Sequence, residues 1–228
     1  MQTTMSSTLP PRRSWLARLS WRFVSWFLEL LYTELAWAYD LVANVTSVGQ
    51  WWHWQEAVID ELPPGRLLEL GFGTGRLLSR LASEGRLVYG LDRSPQMIEI
   101  TRARIRQLGT SAPLVHGDAL QMPFTDESFA AVYATFPSDY FFKDRTIREI
   151  RRVLQEEGAV VFIPFAVIRG KSLLDRAAAL LYRITGQAPA TLETTWLENA
   201  TLPGFDMDYE RVEQERASVL RVTLKKTS

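Results

Sequence analysis

Arg66-Leu67-Leu68-Glu69-Leu70-Gly71-Phe72-Gly73-Thr74-Gly75-Arg76 is the stretch from which the rest of this 228-residue chain can be read. Leu67 to Leu70 form a short apolar run, three glycines spaced two apart follow, and Arg76-Leu77-Leu78-Ser79-Arg80-Leu81 resumes at amphipathic-helix spacing. That order predicts a strand, a tight glycine turn and a helix. Alternate glycines permit positive φ and remove the Cβ atoms that would hold a ligand off, and the helix start offers unpaired N–H groups. A dinucleotide fingerprint needs its third glycine three places after the second, where Arg76 stands. That speaks against a pyrophosphate ligand and a nicotinamide-dependent oxidoreductase. The structural alternative is a turn that serves only close strand–helix packing.

Outward from this turn, strands and helices alternate as in a doubly wound parallel sheet, an α/β Rossmann-like fold. Strands are expected at 66–71, 87–91, 113–116, 130–135 and 159–166, with helices at 75–84, 95–108 and 140–155 between them. A further amphipathic helix is expected at 171–184, and Tyr209–Gln214 and Ser218–Lys225 read as closing strands. Pro63-Pro64-Gly65 divides this core, 63–228, from a helical cap at 14–62 that follows a Ser/Thr/Pro-rich, disordered arm at 1–13.

The cap is rich in aromatics and basic at its start. Arg12, Arg13, Arg18 and Arg22 precede the first acid, Glu29, and Leu16, Leu19, Phe23, Trp26 and Leu30 share one helical face. Glu29, Glu34 and Asp40 argue against a bilayer span. Residues 14–31 either lie in a lipid interface, as Trp15, Trp21 and Trp26 beside arginines suit, or pack on their own domain. An Arg- and Ser-rich transit peptide is a third reading. Overall charge is balanced, 26 basic against 26 acidic residues, which gives no pull toward nucleic acid. The chain has no cysteine and two histidines, His53 and His116, so no metal is expected.

Candidate ligand-binding residues follow the strand ends. Leu87-Val88-Tyr89-Gly90-Leu91 ends in Asp92, where a carboxylate can accept both hydroxyls of a ribose; alternatively Asp92 neighbours the helix that starts at Ser94-Pro95. Val115-His116-Gly117-Asp118-Ala119 ends the next strand. Asp118 can accept from an adenine amino group with Met97 and Ala119 on the ring faces, or it is a turn aspartate. Ala134-Thr135-Phe136-Pro137-Ser138-Asp139-Tyr140 ends the fourth strand at the edge where ligands bind in open α/β sheets.

The acid followed by G-x-G-x-G, with Glu69 two residues ahead of Gly71, resembles the first motif of class I S-adenosylmethionine-dependent methyltransferases. Tyr89 to Met97 looks like their second motif. Gly117-Asp118-Ala119-Leu120-Gln121-Met122-Pro123-Phe124 through Ser128-Phe129 is similar to the ubiquinone/menaquinone-type branch, and the resemblance runs from about Tyr32 to Phe165. Ala130 in place of the usual aspartate, and Gln155-Glu156-Glu157-Gly158 in place of a lysine-proline-glycine-glycine turn, depart from that branch.

The resemblance implies a seven-stranded sheet with an antiparallel last strand and S-adenosyl-L-methionine as cofactor. Gly71, Gly73 and Gly75 would hold its methionine part, Asp92 the ribose, and Asp118 with Ala119 the adenine; Glu69, Arg93, Met97, Gly117 and Thr135 complete the candidate cofactor-binding set, with the segment of Thr135 facing the sulfonium and the acceptor. The reaction implied is in-line methyl transfer to a hydrophobic small molecule such as a lipid, quinone or polyketide-like acceptor, in a cytoplasmic or peripheral membrane enzyme. His53, Asp139 and Tyr140 are the candidate catalytic groups, Tyr39 a positioning group, and Trp51, Trp52, Trp54, Phe136, Tyr140, Phe141 and Phe142 the candidate acceptor pocket. The rival reading is a non-catalytic adaptor that keeps the cofactor fold.

Overall fold

A computed structural model describes residues 49–169 and 202–227, together with Asn44 and Ser47. The expected arm at 1–13, the amphipathic helix at 14–31, Tyr39 and the helix at 171–184 lie outside the described residues.

The apolar run before the glycines is β1 (Arg66–Leu70), buried from Leu67 onward. It lies at the centre of the sheet because it pairs in parallel on both sides, with β2 (Leu87–Asp92) and β4 (Phe129–Thr135). β3 (Leu114–His116) adds outside β2, and β5 (Leu154–Ile163) outside β4, all parallel. The chain thus reverses its direction of travel between β1 and β4, which leaves a crevice above their carboxyl ends. The sheet continues with β8 (Ala217–Lys226), antiparallel to β5, and β7 (Phe205–Glu213), antiparallel to β8.

An eighth, unexpected strand, β6 (Ala166–Ile168), pairs with Ala217–Val219 of β8. β7 occupies one edge of β8 along nearly its whole length, so β5 and β6 share the other. They are one line of strand broken at Pro164, whose missing N–H interrupts the ladder. A second departure lies at the start of β5, expected at residue 159 and observed at Leu154. Leu154 pairs with Phe129 and Ala159 with Ala131, so the intervening residues arc away, with the polar Gln155, Glu156 and Glu157 exposed. This is what the Gln-Glu-Glu-Gly sequence does locally.

Strand alternation sends Leu67, Ala131, Tyr133 and Val161 to one face and Leu68, Leu70, Val132 and Val160 to the other. The first face is covered by α2 (Arg76–Ser83) and α3 (Pro95–Gln107), through Leu77, Leu78, Leu81, Ile98 and Ile105. The second is covered by α4 (Asp144–Val153), through Ile147, Ile150 and Val153. The helix expected at 140–155 is shorter than its sequence suggested, because Lys143 is extended and separates α4 from a 3-10 turn at Asp139–Phe142.

Before the sheet stand α1 (Trp51–Glu56) and a 3-10 turn at Ile59–Glu61. Trp54 and Val58 sink into the same core as Leu67 and Leu78. Arg221 of β8, only 7% exposed, fastens this segment: Nη1 donates to the Ala57 carbonyl at 2.9 Å, and Nη2 to Glu61 at 3.0 Å and Glu210 at 2.5 Å. Arg86 donates to the Leu62 and Pro63 carbonyls and fixes the entry to β1.

Candidate active site

A cavity of about 650 Å³ opens above the carboxyl ends of the central strands. Its floor is the glycine turn, where Gly71, Gly73 and Gly75 have φ of 66°, 54° and 67°. The glycines do different work. A Cβ on Gly73 would meet no protein atom within 4 Å and would project into open space, so this backbone is bare toward a ligand. A Cβ on Gly75 would run into the Thr101 side chain of α3. Gly75 is not part of the cavity wall, and its role is to let α2 and α3 approach.

Asp92 braces the turn. It is 9% exposed, and its Oδ2 accepts from the Gly73 N–H at 3.0 Å while Oδ1 accepts from the Ser94 N–H at 2.8 Å. Burial raises its pKa, opposed by the N–H groups of Ser94, Gly73 and Arg93. With three N–H groups on a carboxylate of about four lone pairs, acceptor capacity remains for a ligand.

Glu69 also lines the cavity, at 2% exposure. Register places it directly beside Tyr133 on β4, whose hydroxyl donates to Glu69 Oε2 at 3.1 Å. Burial pushes the Glu69 carboxyl up to about 8, Tyr133 holds it back, and the Asp92 charge adds to the rise. Tyr133 is raised well above its ordinary value, first by burial and then by Glu69.

Arg93, Gly117, Asp118, Ala119 and Thr135 stand in the wall as the strand ends suggested. Asp118 is exposed, and its Oδ1 accepts from the Leu120 N–H at 2.9 Å, so it shapes the turn as well as facing the cavity. Met97 does not reach the wall: it is fully buried, in the first turn of α3. His116 lies outside the wall too, with Nε2 3.1 Å from the Arg93 carbonyl oxygen.

Of the three candidate catalytic groups, only Tyr140 lines the cavity, and its hydroxyl donates to the Leu70 carbonyl at 3.3 Å. His53 is exposed and off the wall because α1 turns Trp51 and Gln55, four residues apart, toward the cavity, and the residue between them points the other way. Asp139 is exposed for a related reason: in a 3-10 turn Tyr140 and Lys143 share one side and Asp139 does not.

The acceptor aromatics also divide. Trp51 stacks on Phe136 with centroids 4.5 Å apart, and both line the cavity. Trp54 and Phe141 are core, and Trp52 lies beneath the Arg76 guanidinium at 3.6 Å. Phe136 has φ of 52°, a strained backbone for an aromatic residue, held by its N–H bond to the Ile163 carbonyl at 2.7 Å and by the Trp51 stack. Sequence reading missed Tyr133 as a partner of Glu69. The signal was the β1/β4 register, which only pairing of the strands reveals.

The fold and cavity define an open α/β sheet with a ligand-sized crevice at its glycine turn. Residues 67–158 match the methyltransferase domain family. The chain is similar to the demethylmenaquinone methyltransferase of Thermotoga maritima, 35% identical over 140 residues, covering 58% of this chain and 59% of the relative. It is also similar to that of Thermus thermophilus, 33% identical over 144 residues, covering 59% of this chain and 64% of the relative. The chain thus spans about three fifths of the length of these curated relatives.

Among solved structures, phosphoethanolamine N-methyltransferase 2 of Haemonchus contortus, in complex with S-adenosyl-L-methionine, shares the fold with a TM-score of 0.55 at 18% identity, covering 78% of this chain and 53% of that one. Residues 67–158 therefore carry an S-adenosylmethionine-dependent methyltransferase domain, similar to that of demethylmenaquinone methyltransferases. Among the described residues, no helix is long and apolar enough to cross a membrane and no cluster of His, Asp and Glu suits a metal.

Proposed function

We propose that the protein transfers a methyl group from S-adenosyl-L-methionine to a hydrophobic, planar small molecule of the lipid, quinone or polyketide-like kind. The observation that carries this reading is the joint placement of Glu69, bare Gly73 and Asp92 around one cavity roofed by the Trp51–Phe136 stack. The donor set fits the cofactor. Asp92 has lone pairs for a ribose diol, Asp118 and Ala119 stand where adenine would lie, and Glu69 is a buried acid facing a site that would bring an ammonium group.

When bound, this cofactor supplies a methyl group that passes to a nucleophilic atom of the acceptor while the bonding pair stays on sulfur. The residues of the chain align the two partners and exclude water, which supplies much of the acceleration in such a displacement. Trp51 and Phe136 offer flat apolar faces to the acceptor, and Thr135 stands in the same wall. Tyr140 is the hydroxyl at hand where an acceptor proton has to be held. Residues 14–31 bring the enzyme to an anionic lipid surface, where apolar acceptors concentrate.

Titration calorimetry with S-adenosylhomocysteine, with NAD as control, tests the cofactor reading: micromolar binding of the first and none of the second is expected. A screen of apolar quinols and phenols for methylated product then tests the acceptor class. Failure to bind S-adenosylhomocysteine would overturn the proposal.

A further inference from the structure

Glu69 and Tyr133 are a buried pair with no counter-ion among the described residues. They are in register on β1 and β4, 2% and 0% exposed, and joined by a 3.1 Å hydrogen bond. A buried carboxyl ordinarily has a basic partner. Among the described residues none pairs with Glu69, and the charge acting on it from β2 is a like one, Asp92. Arg76 on α2, Arg93 after β2, Asp118 after β3 and Lys143 before α4 stand elsewhere in the wall, and Arg86 acts on Tyr133 from just before β2.

On the reading that this cavity takes the methyl donor, we infer that Tyr133 is a positioning residue for Glu69 and that the ligand's cationic amino group expels a proton from Glu69 as it binds. The balance is simple: the neutral carboxyl loses its proton to solvent, and the carboxylate pairs with the incoming ammonium. Burial drives the first half. With its carboxyl up to about 8, Glu69 holds its proton in the ligand-free protein at neutral pH. The ammonium drives the second half, because a buried carboxylate is stable only with such a partner. Tyr133 donates to the same oxygen in both states. It fixes the carboxyl toward the cavity and eases its ionisation.

The experiment is calorimetric titration with S-adenosylhomocysteine in two buffers of different ionisation enthalpy, so that protons are counted alongside affinity. Wild-type protein at pH 7 should release about 0.9 proton, and its association constant should rise about ninefold from pH 6 to pH 7 and about fivefold from pH 7 to pH 8. Glu69→Gln should bind more weakly and release almost none, which assigns the proton to Glu69 rather than Asp92. Tyr133→Phe should lose affinity at pH 7 and recover it at higher pH.

An equal loss at every pH would make Tyr133 a packing residue and overturn its role. Wild-type binding without proton release, or equal release by Glu69→Gln, would overturn the coupling and leave the cofactor reading standing. Absence of binding would overturn the cofactor reading, and this inference with it.

Discussion

Glu69→Gln should make the ligand-free protein more stable while weakening ligand binding, and the size of the gain follows from where Glu69 sits. The carboxyl is 2% exposed, and its pKa rises from 4.5 to about 8. A folded-state pKa above the unfolded value means that the folded state holds the extra proton. The stability associated with Glu69 is therefore complete below pH 4.5 and is lost as pH rises through about 8. Each pH unit within that window costs ~1.4 kcal/mol, so wild type should give up about 3 kcal/mol by pH 7 and about 5 kcal/mol above pH 8.

Glutamine keeps an oxygen to accept from Tyr133 and has nothing to titrate. Urea unfolding of both proteins at pH 5, 7 and 8.5, without ligand, gives the comparison. Their stabilities should lie close together at pH 5 and diverge in favour of the variant as pH rises. Parallel profiles would refute the reasoning, since they would mean that Glu69 meets enough water or cation to ionise freely.

Other substitutions separate ligand contacts from scaffold. Asp92→Asn turns one acceptor oxygen into a donor against the Gly73 or Ser94 N–H; a loss of about 2–4 kcal/mol in S-adenosylhomocysteine binding is expected by calorimetry. Gly73→Ala should cost about 1–2 kcal/mol of stability from its left-handed backbone and strongly weaken binding, whereas Gly75→Ala should cost clearly more stability because its Cβ meets Thr101; thermal unfolding reads both. Arg221→Met should destabilise by about 2–3 kcal/mol in urea, chiefly by orphaning the Ala57 carbonyl, since Glu61 and Glu210 stay solvated. His53→Ala should leave the pH–rate profile of methyl transfer unchanged, in contrast to Tyr140→Phe.

The alternation of apolar runs with amphipathic stretches was enough to place the central strands, because β1, β2 and β4 are short, apolar and bounded by glycine or polar turns. The glycine spacing and the acid at the end of β2 were legible for the same reason: local backbone geometry demands those residue types there. What depends on direction was not legible. Sequence proximity made His53 as good a candidate as Trp51, and only the turn of α1 separates them. Met97 looked like a cavity residue until the first turn of α3 buried it. Pro164 and the Gln155–Gly158 arc changed strand ends through missing or displaced ladder bonds, which no hydrophobic pattern records. The partnership of Glu69 and Tyr133 spans 64 residues and exists only once β1 and β4 are in register.

The fastening of α1 to β8 has a bearing on the order in which the molecule is made. Every described residue of the cavity wall lies from Trp51 to Lys143, yet the segment that carries the roof is anchored by Arg221 and by Gln214, whose amide donates to the His53 carbonyl at 2.6 Å across 161 positions. Closing so long a loop costs entropy that only a finished sheet returns. During synthesis the glycine turn and its acids would be complete long before the roof could settle. The acceptor end of the cavity would then close only after β8 has docked, while the glycine turn and its acids do not wait for it.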